Sequence, residues 1–330
     1  MTRIRGLSVC KCYLFHQGHE LLFNYALEHC DELTILVGHN PAYAISAEER
    51  ASWVKEIVPG ANVLVVNELP DSEDSEKWAW RTIQLLGYSP DLVFTSEDYG
   101  EPYAKFMGSK HIMVDRFREA VPISGREIRA DVRKHFKYLT SPVKAKYTLR
   151  VAVVGAESTG KSTLAQKLAI KYETVWVPEY GRLYAEGKIP SLDVFPNKKW
   201  TTNEFVHIAS HQGQLEDMIA RDSNKVIFCD TTPDSTELWH ERYMGWRDMR
   251  VHAAASARHY DLYVLAGDEI PFFQDGTRDG EQIRHEMHNK FIEELKGYGI
   301  PYIIASGSVV ERIAQVSRYV DPMLAMPLTI

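Results

Sequence analysis

The sequence predicts an α/β protein made of two doubly wound parallel-sheet domains in tandem, and three observations carry that expectation. A complete phosphate loop, GAESTGKST, follows a strand-like run at mid-chain and opens a helix-like one. Residues 3 to 150 alternate short apolar strand patterns with helical patterns, as βαβ units on a parallel sheet do. The 330 residues also exceed the length of one ordinary domain, about 150 residues. The expected domains are residues 1–140 and 141–330, each long enough to bury a full core.

Composition narrows the class. With 45% hydrophobic and 25% charged residues the chain reads as an ordinary soluble globular protein. No run nears the ~18 apolar residues of a membrane span, and the start lacks a small-residue cleavage site, so a cytoplasmic protein with no membrane partner is expected. A net charge of −7 argues against nucleic acid as a partner. Cys10, Cys12, Cys30 and Cys229 form neither a CxxC pair nor a zinc spacing, and reduced thiols are expected. The oligomeric state stays open, a homo-oligomer included.

In the first domain, IRGLSV is followed by a helix from about Gly18 to Cys30, LTILVG by SAEERASWVKEIV, and ANVLVV by SEKWAWRTIQLLG. DLVF then precedes EPYAKFMG, and HIMV precedes ISGREIRADVRKHF. In such sheets ligands sit beyond the carboxyl ends of the strands. There, after the first strand, His16 and His19 flank Gly18 at a helix start whose free N–H groups favour a phosphate, with Lys11 adding charge. An HxxH pair also suits a metal or two surface histidines. Distally, Ser124 is a fair N-cap, and Arg129, about one turn in, is expected to point back to the same cleft. Trp78 and Trp80, with Tyr99 and Tyr103, suit stacking on a planar ring, against core packing as their ordinary role. Arg50 either faces the cleft or pairs with a glutamate on its own helix. Ser96 and Glu97 follow the DLVF strand, where bases and riboses are often recognised.

Residues 130–150, with Pro142 and a run of Lys and Arg, read as a solvated joint. Gly155 and Gly160 then let the loop turn its N–H groups, across Glu157, Ser158 and Thr159, toward a polyphosphate. Lys161 reaches the β/γ-phosphates and Ser162, followed by Thr163, ligates Mg²⁺. VWV ends in Glu179, Tyr180, Gly181 and Arg182, placing a proton acceptor, a stacking ring and a cation opposite the loop. KVIFCDTT ends in Asp230, an acid suited to Mg²⁺. Glu179 and Asp230 compete for the role of general base, and the sequence leaves both open. His207, His211 and Gln212 lie on the helix between, either with one or two of them approaching the substrate or on the surface. Arg278, Arg284 and His285 suit a lid over ATP, with Phe272 or Phe273 covering a ring. The tail MLAMPLTI has no assigned role.

HQGH together with ISGREIR resembles the nucleotidylyltransferase superfamily. The resemblance implies that His16, Gly18, His19, Lys11, Ser124 and Arg129 grip ATP while an acceptor phosphate attacks its α-phosphorus. Adding FTSEDYGEPYAKFMG, GAESTGKST, EYGR, FCDTT and the DLYVL to DGTR stretch, nearly the whole chain resembles the NadR type of bifunctional nicotinamide-nucleotide adenylyltransferase and ribosylnicotinamide kinase. The resemblance implies a Rossmann-like HxGH domain followed by a P-loop kinase domain, ATP as co-substrate, Mg²⁺, and ribosylnicotinamide, NMN and NAD as ligands. Trp78, Trp80, Tyr180, Arg182 and Phe272 are then the substrate contacts. Longer bacterial members begin with a helix-turn-helix repressor domain; with the first strand starting by Ile4, that domain and transcriptional repression are expected to be absent. Cys10 and Leu14 stand where the family has Gly and Pro, so a second expectation is a working kinase beside a catalytically weak or nucleotide-sensing first domain.

Overall fold

The computed structural model describes residues 3–68, 74–194, 199–256, 258–274 and 280–330. The chain divides into two units, Met1–Val143 with Pro327–Ile330, and Lys144–Met326. The first unit runs β1 (Arg5–Cys10), α1 (Gln17–Glu28), β2 (Glu32–His39), α2 (Ala47–Ile57), β3 (Asn62–Asn67), α3 (Ser75–Leu86), β4 (Leu92–Thr95), α4 (Gly100–Met107), β5 (Lys110–Met113) and α5 (Gly125–Ala130). Its sheet is wholly parallel, in the order β3-β2-β1-β4-β5. The middle of β2, LTILVG, is buried on both faces, which is why it reads as a continuous apolar run. The strand order reverses between β1 and β4, and a crevice opens beyond their carboxyl ends.

After α6 (Ser141–Tyr147), the second unit runs β6 (Leu149–Val154), α7 (Lys161–Lys171), β7 (Trp176–Val177), α8 (Tyr180–Val194), α9 (Thr202–Ile219), β8 (Val226–Asp230), α10 (Pro233–Met244), α11 (Met249–Ser256), β9 (Leu262–Ala266), α12 (Glu281–Gly297), β10 (Tyr302–Ala305) and α13 (Val309–Ala325). The order is β10-β9-β6-β8-β7, again all parallel, with β6 central. One face is covered by Leu164 and Leu168 of α7 with Val316 and Val320 of α13, the other by Leu238 of α10 with Met287, Phe291 and Leu295 of α12. Among the described residues no helix is long and apolar enough to cross a membrane.

Two expectations are corrected, on the length of α5 and on Cys10 and Cys12. The helix expected over ISGREIRADVRKHF stops at Ala130, because Asp131 adopts an extended conformation (φ −158°). In the joint Val132, Phe136, Leu139 and Val143 are buried while Lys134, Lys137 and Lys146 are exposed, so its charged face is solvated and its apolar face packed. The unassigned tail is split: Met323 and Leu324 end α13 against the second unit's core, while Pro327–Ile330 run with the first unit and satisfy the end of α5, Ile330 donating to the Arg129 carbonyl (3.0 Å) and Thr329 to that of Ala130 (3.1 Å), with Val132 donating to Leu328 (2.8 Å). Cys10 and Cys12, expected as free thiols, form a disulfide: the turn at Cys12 (φ 45°) brings their Cα atoms to 5.2 Å.

Candidate functional site

The first unit holds a cleft of ≈ 880 Å³ at the β1/β4 reversal. His16 is the N-cap of α1, and its Nδ1 accepts the Gly18 N–H (3.1 Å); His19 Nδ1 in turn accepts the His16 N–H (3.4 Å). Both acceptors are Nδ1, so in each neutral ring the proton is on Nε2, free to donate to a ligand. Gly18 is required by this arrangement: a Cβ there would lie 2.9 Å from His16 Cε1. Gly125, at the start of α5, is less tightly fitted, since a Cβ would meet Arg129 Nη1 at 3.2 Å and His16 Nε2 at an ordinary 3.6 Å, but both groups lie beside it. The HxGH loop and the ISGREIR helix therefore converge on one point.

Burial pushes the His16 pKa down to about 4, helped by the charges of Arg118 and Arg129; burial, His16 and Arg129 lower His19 well below its ordinary value. Both rings are neutral N–H donors at pH 7. The consequence for stability has a definite sign. An unfolded imidazole titrates near 6.5, so as pH falls from about 6.5 to about 4 the unfolded chain takes up a proton that folded His16 refuses, and stability drops by up to about 3 kcal/mol. Urea unfolding at pH 7 and pH 4.5 is expected to show a larger loss in the wild type than in His16→Asn; parallel losses would contradict the assignment.

Around this pair, Lys11 lines the cleft, and Arg129 lines it while donating to the Tyr13 carbonyl (3.0 Å). Ser124 forms a capping box with Glu127, its N–H (2.9 Å) and hydroxyl (2.6 Å) both donating to that carboxylate. Trp78, Ser96, Glu97 and Tyr99 also line the cleft. Trp80 does not: on the outward side of α3 it is 57% exposed. Tyr103 reaches the cleft wall from the core, its hydroxyl paired with Thr82 (2.7 Å). Arg50 neither faces the cleft nor pairs with glutamate; it is fully buried and donates to the carbonyls of Lys11, Gly38 (2.8 Å), Ile45 (3.2 Å) and Ser46 (3.2 Å). Leu14 is buried in the left-handed region (φ 63°), a conformation closed to proline. Sequence reasoning missed Arg118, which lines the cleft; the DRFRE segment after β5 carried the signal.

In the second unit, Glu157–Thr163, Glu179, Gly181 and Arg182 line a cavity of ≈ 310 Å³. Gly155 (φ 136°) and Gly160 (φ 81°) make the turns that the motif needs, and a Cβ on Gly155 would lie 3.2 Å from the Ala266 carbonyl. Lys161 Nζ donates to the Ala156 carbonyl (2.8 Å). Asp230, 2% exposed at the end of β8, hydrogen-bonds Ser162, while its Oδ1 has no partner among the described residues. Burial raises the pKa values of both Glu179 and Asp230; Lys161 opposes this in each, and Asp230 further raises Glu179. A hydroxyl and a carboxylate with an unpaired oxygen fit Mg²⁺, which takes few protein ligands beside phosphate oxygens and water. Among the described residues no group of three or more His, Cys, Asp or Glu could hold a metal ion.

The aromatic part of the wall was not legible in advance, whereas Gln212 was a candidate and does line the cavity. Trp200, Phe205, Trp239 and Tyr243 line the cavity, with Trp200–Phe205 and Phe205–Tyr243 ring centroids 5.4 Å and 6.0 Å apart. Gln212 is fully buried; its Oε1 accepts the Tyr180 N–H (2.8 Å) and its Nε2 has no partner among the described residues. Three expectations fail here. Tyr180 lies beside the cavity, stacked on His211 (5.1 Å) and bonded to His207 (3.0 Å). Phe272 lies under the Arg284 guanidinium (5.5 Å) and does not line the cavity. Arg284 and His285 are not spare lid cations: Arg284 is 2% exposed and donates to the Ile270 carbonyl (2.7 Å), and His285 pairs with Asp268. Arg278 lies outside the described residues.

Residues 150–312 match the family described as AAA domain. Over 322 residues the chain is 28% identical to "Trifunctional NAD biosynthesis/regulator protein NadR" of Escherichia coli (strain K12), covering 90% of this chain and 78% of that protein; the Salmonella typhimurium protein of the same name is 27% identical over the same shares. A solved NadR protein in complex with NAD and AMP-PNP superposes with a TM-score of 0.72 at 18% identity, covering 96% of both chains. A second, in complex with NR, gives 0.71 at 18% over 97% and 96%. The chain is a homologue of the NadR proteins and shares their fold.

Proposed function

We propose that the chain is a NAD salvage enzyme performing two consecutive ATP-dependent steps. The second unit phosphorylates ribosylnicotinamide to NMN, and the first adenylylates NMN to NAD with release of pyrophosphate. The reading is carried by one observation: each unit has its own cleft beyond the carboxyl ends of its own parallel sheet, lined by His16, Gly18 and His19 in the first and by Glu157–Thr163 in the second, in a chain similar to NadR over nine-tenths of its length. The ligands named for the solved NadR structures, NAD, AMP-PNP and NR, are the ones these clefts are proposed to take.

In the kinase step the ribose 5′-hydroxyl attacks the γ-phosphorus of ATP, the bond to the β,γ-bridging oxygen breaks and ADP leaves. Glu179 accepts the hydroxyl proton, and Asp230, bonded to Ser162, is kept for the metal; burial raises the pKa values of both carboxylates. Ser162 and Asp230 would hold Mg²⁺, which would neutralise charge on the phosphate oxygens. Lys161 exchanges the Ala156 carbonyl for those oxygens, the aromatic wall stacks on the nicotinamide ring, and Gln212 Nε2 donates to a substrate oxygen. Gln212→Leu is expected to raise KM for ribosylnicotinamide about tenfold or more with little change in KM for ATP, since it removes one buried donor. Equal changes in both constants would count against that contact.

In the adenylylation step the NMN phosphate attacks the α-phosphorus, and no side chain becomes covalently bonded. His16 and His19 donate Nε2–H to the transferring and leaving phosphates, while Ser124, Arg129 and Lys11 hold the triphosphate. The Cys10–Cys12 bond and Leu14 in the same loop favour a second reading, a kinase whose first unit binds nucleotide without turning it over. Incubation of NMN, ATP and Mg²⁺ decides: NAD and pyrophosphate support the two-step enzyme, and their absence supports the kinase alone. If ribosylnicotinamide and ATP yield no NMN, both readings fail.

A further inference from the structure

We infer that Arg312 is a positioning residue of the kinase site, a buried brace that fixes the phosphate loop from behind. This rests on the reading of that site as one that binds ATP. Arg312 lies in the first turns of α13 and is 3% exposed. Its Nε donates to the Gly307 carbonyl (3.0 Å), Nη1 to that of Thr159 (2.6 Å), and Nη2 to that of Gly267 (3.1 Å) and to Glu269 Oε1 (2.7 Å). The three carbonyls follow three different strands, β6, β9 and β10, at the edge where the cavity opens.

The Thr159 contact gives the brace its function. In a trans peptide the C=O and N–H point in opposite directions. Holding the Thr159 oxygen on Arg312 therefore turns the Gly160 N–H away from it, toward the phosphates the cavity would take. Gly160 has a left-handed backbone (φ 81°) and lines that cavity, and a Cβ on it would meet Arg312 Nη1 at 3.7 Å. Glu269 balances the buried charge and accepts the Gly307 N–H (2.6 Å), which ties the β9 and β10 loops to the same fork. Arg312 is itself not a cavity residue, and its donors are directed to protein acceptors. Lysine cannot replace it, because one ammonium cannot span the acceptors that a planar guanidinium reaches at once.

Arg312→Lys is expected to raise KM for ATP in ribosylnicotinamide phosphorylation by about 10- to 100-fold, the cost of misplacing phosphate-binding groups by about 1 Å. KM for ribosylnicotinamide and the NMN adenylylation rate should stay within about twofold, because neither depends on the Gly160 N–H. Glu269→Gln retains an acceptor but removes the balancing charge, and should shift KM for ATP the same way by less. Titration of the full chain with AMP-PNP should give a two-site isotherm in which Arg312→Lys weakens one site and spares the other. Unchanged KM and binding in Arg312→Lys would overturn the proposal, as would a parallel rise of both KM values with a lowered Tm. If the wild type binds AMP-PNP at two sites but does not phosphorylate ribosylnicotinamide, the functional reading fails while the isotherm still judges the brace.

Discussion

Lys161→Ala is expected to lower NMN formation from ribosylnicotinamide by about 10²- to 10³-fold, the usual cost of removing one donor from a preorganised phosphate site. NAD formation from NMN should remain within about twofold. The asymmetry follows from where the contacts of Lys161 lie: its ammonium bonds the Ala156 carbonyl and acts on Glu179 and Asp230, all within Lys144–Met326. Removing that charge also removes what opposes burial in both carboxylates, so each pKa rises further. More of the Glu179–Asp230 pair is then protonated at neutral pH, and the proposed base and metal ligand are weakened along with the lost phosphate contact. The activity that survives should therefore increase as pH is raised above 7, which a pH–rate profile of the variant would reveal. Loss of both activities would show that the two sites are not independent.

The motifs legible in the sequence are those whose spacing the backbone dictates. Gly155 and Gly160 sit at positive φ, and Gly18 leaves room for the ring of His16, so no other residue serves as well at these positions. A pattern of that kind is local and survives without knowledge of the fold. The aromatic wall is not local. Trp200 precedes α9, Phe205 lies on it, and Trp239 and Tyr243 lie on α10; each reads as ordinary apolar patterning until the helices are packed. Arginines were hard to place for a related reason. Arg50, expected at the cleft or in an ion pair, and Arg284, expected in a lid, are buried and bonded to main-chain carbonyls, as is Arg312, which the sequence did not single out. A guanidinium can satisfy several such acceptors at once, and only tertiary structure supplies them. The disulfide was hidden because Cys-x-Cys pairs only where a turn such as that at Cys12 brings the two Cα atoms together.

His16→Asn is expected to lower NAD formation from NMN by about 10²- to 10³-fold while leaving the fold and NMN formation intact. The substitution separates the two jobs of the residue. Asparagine is among the strongest N-caps, and its side-chain oxygen can take over the acceptor role of Nδ1 toward the Gly18 N–H. It is too short to replace Nε2, which lies near Gly125 and Arg129 and is the atom free to donate. Helix α1 should thus keep its cap, and unfolding at pH 7 should change by no more than about 1 kcal/mol. His19→Ala, which leaves the cap of His16 on Gly18 in place, should show a loss of activity of the same order. Should NAD formation in His16→Asn stay at the wild-type rate, the HxGH pair would not be contacting the reacting phosphates. A fall in activity matched by an equal fall in stability would instead assign His16 to the helix alone.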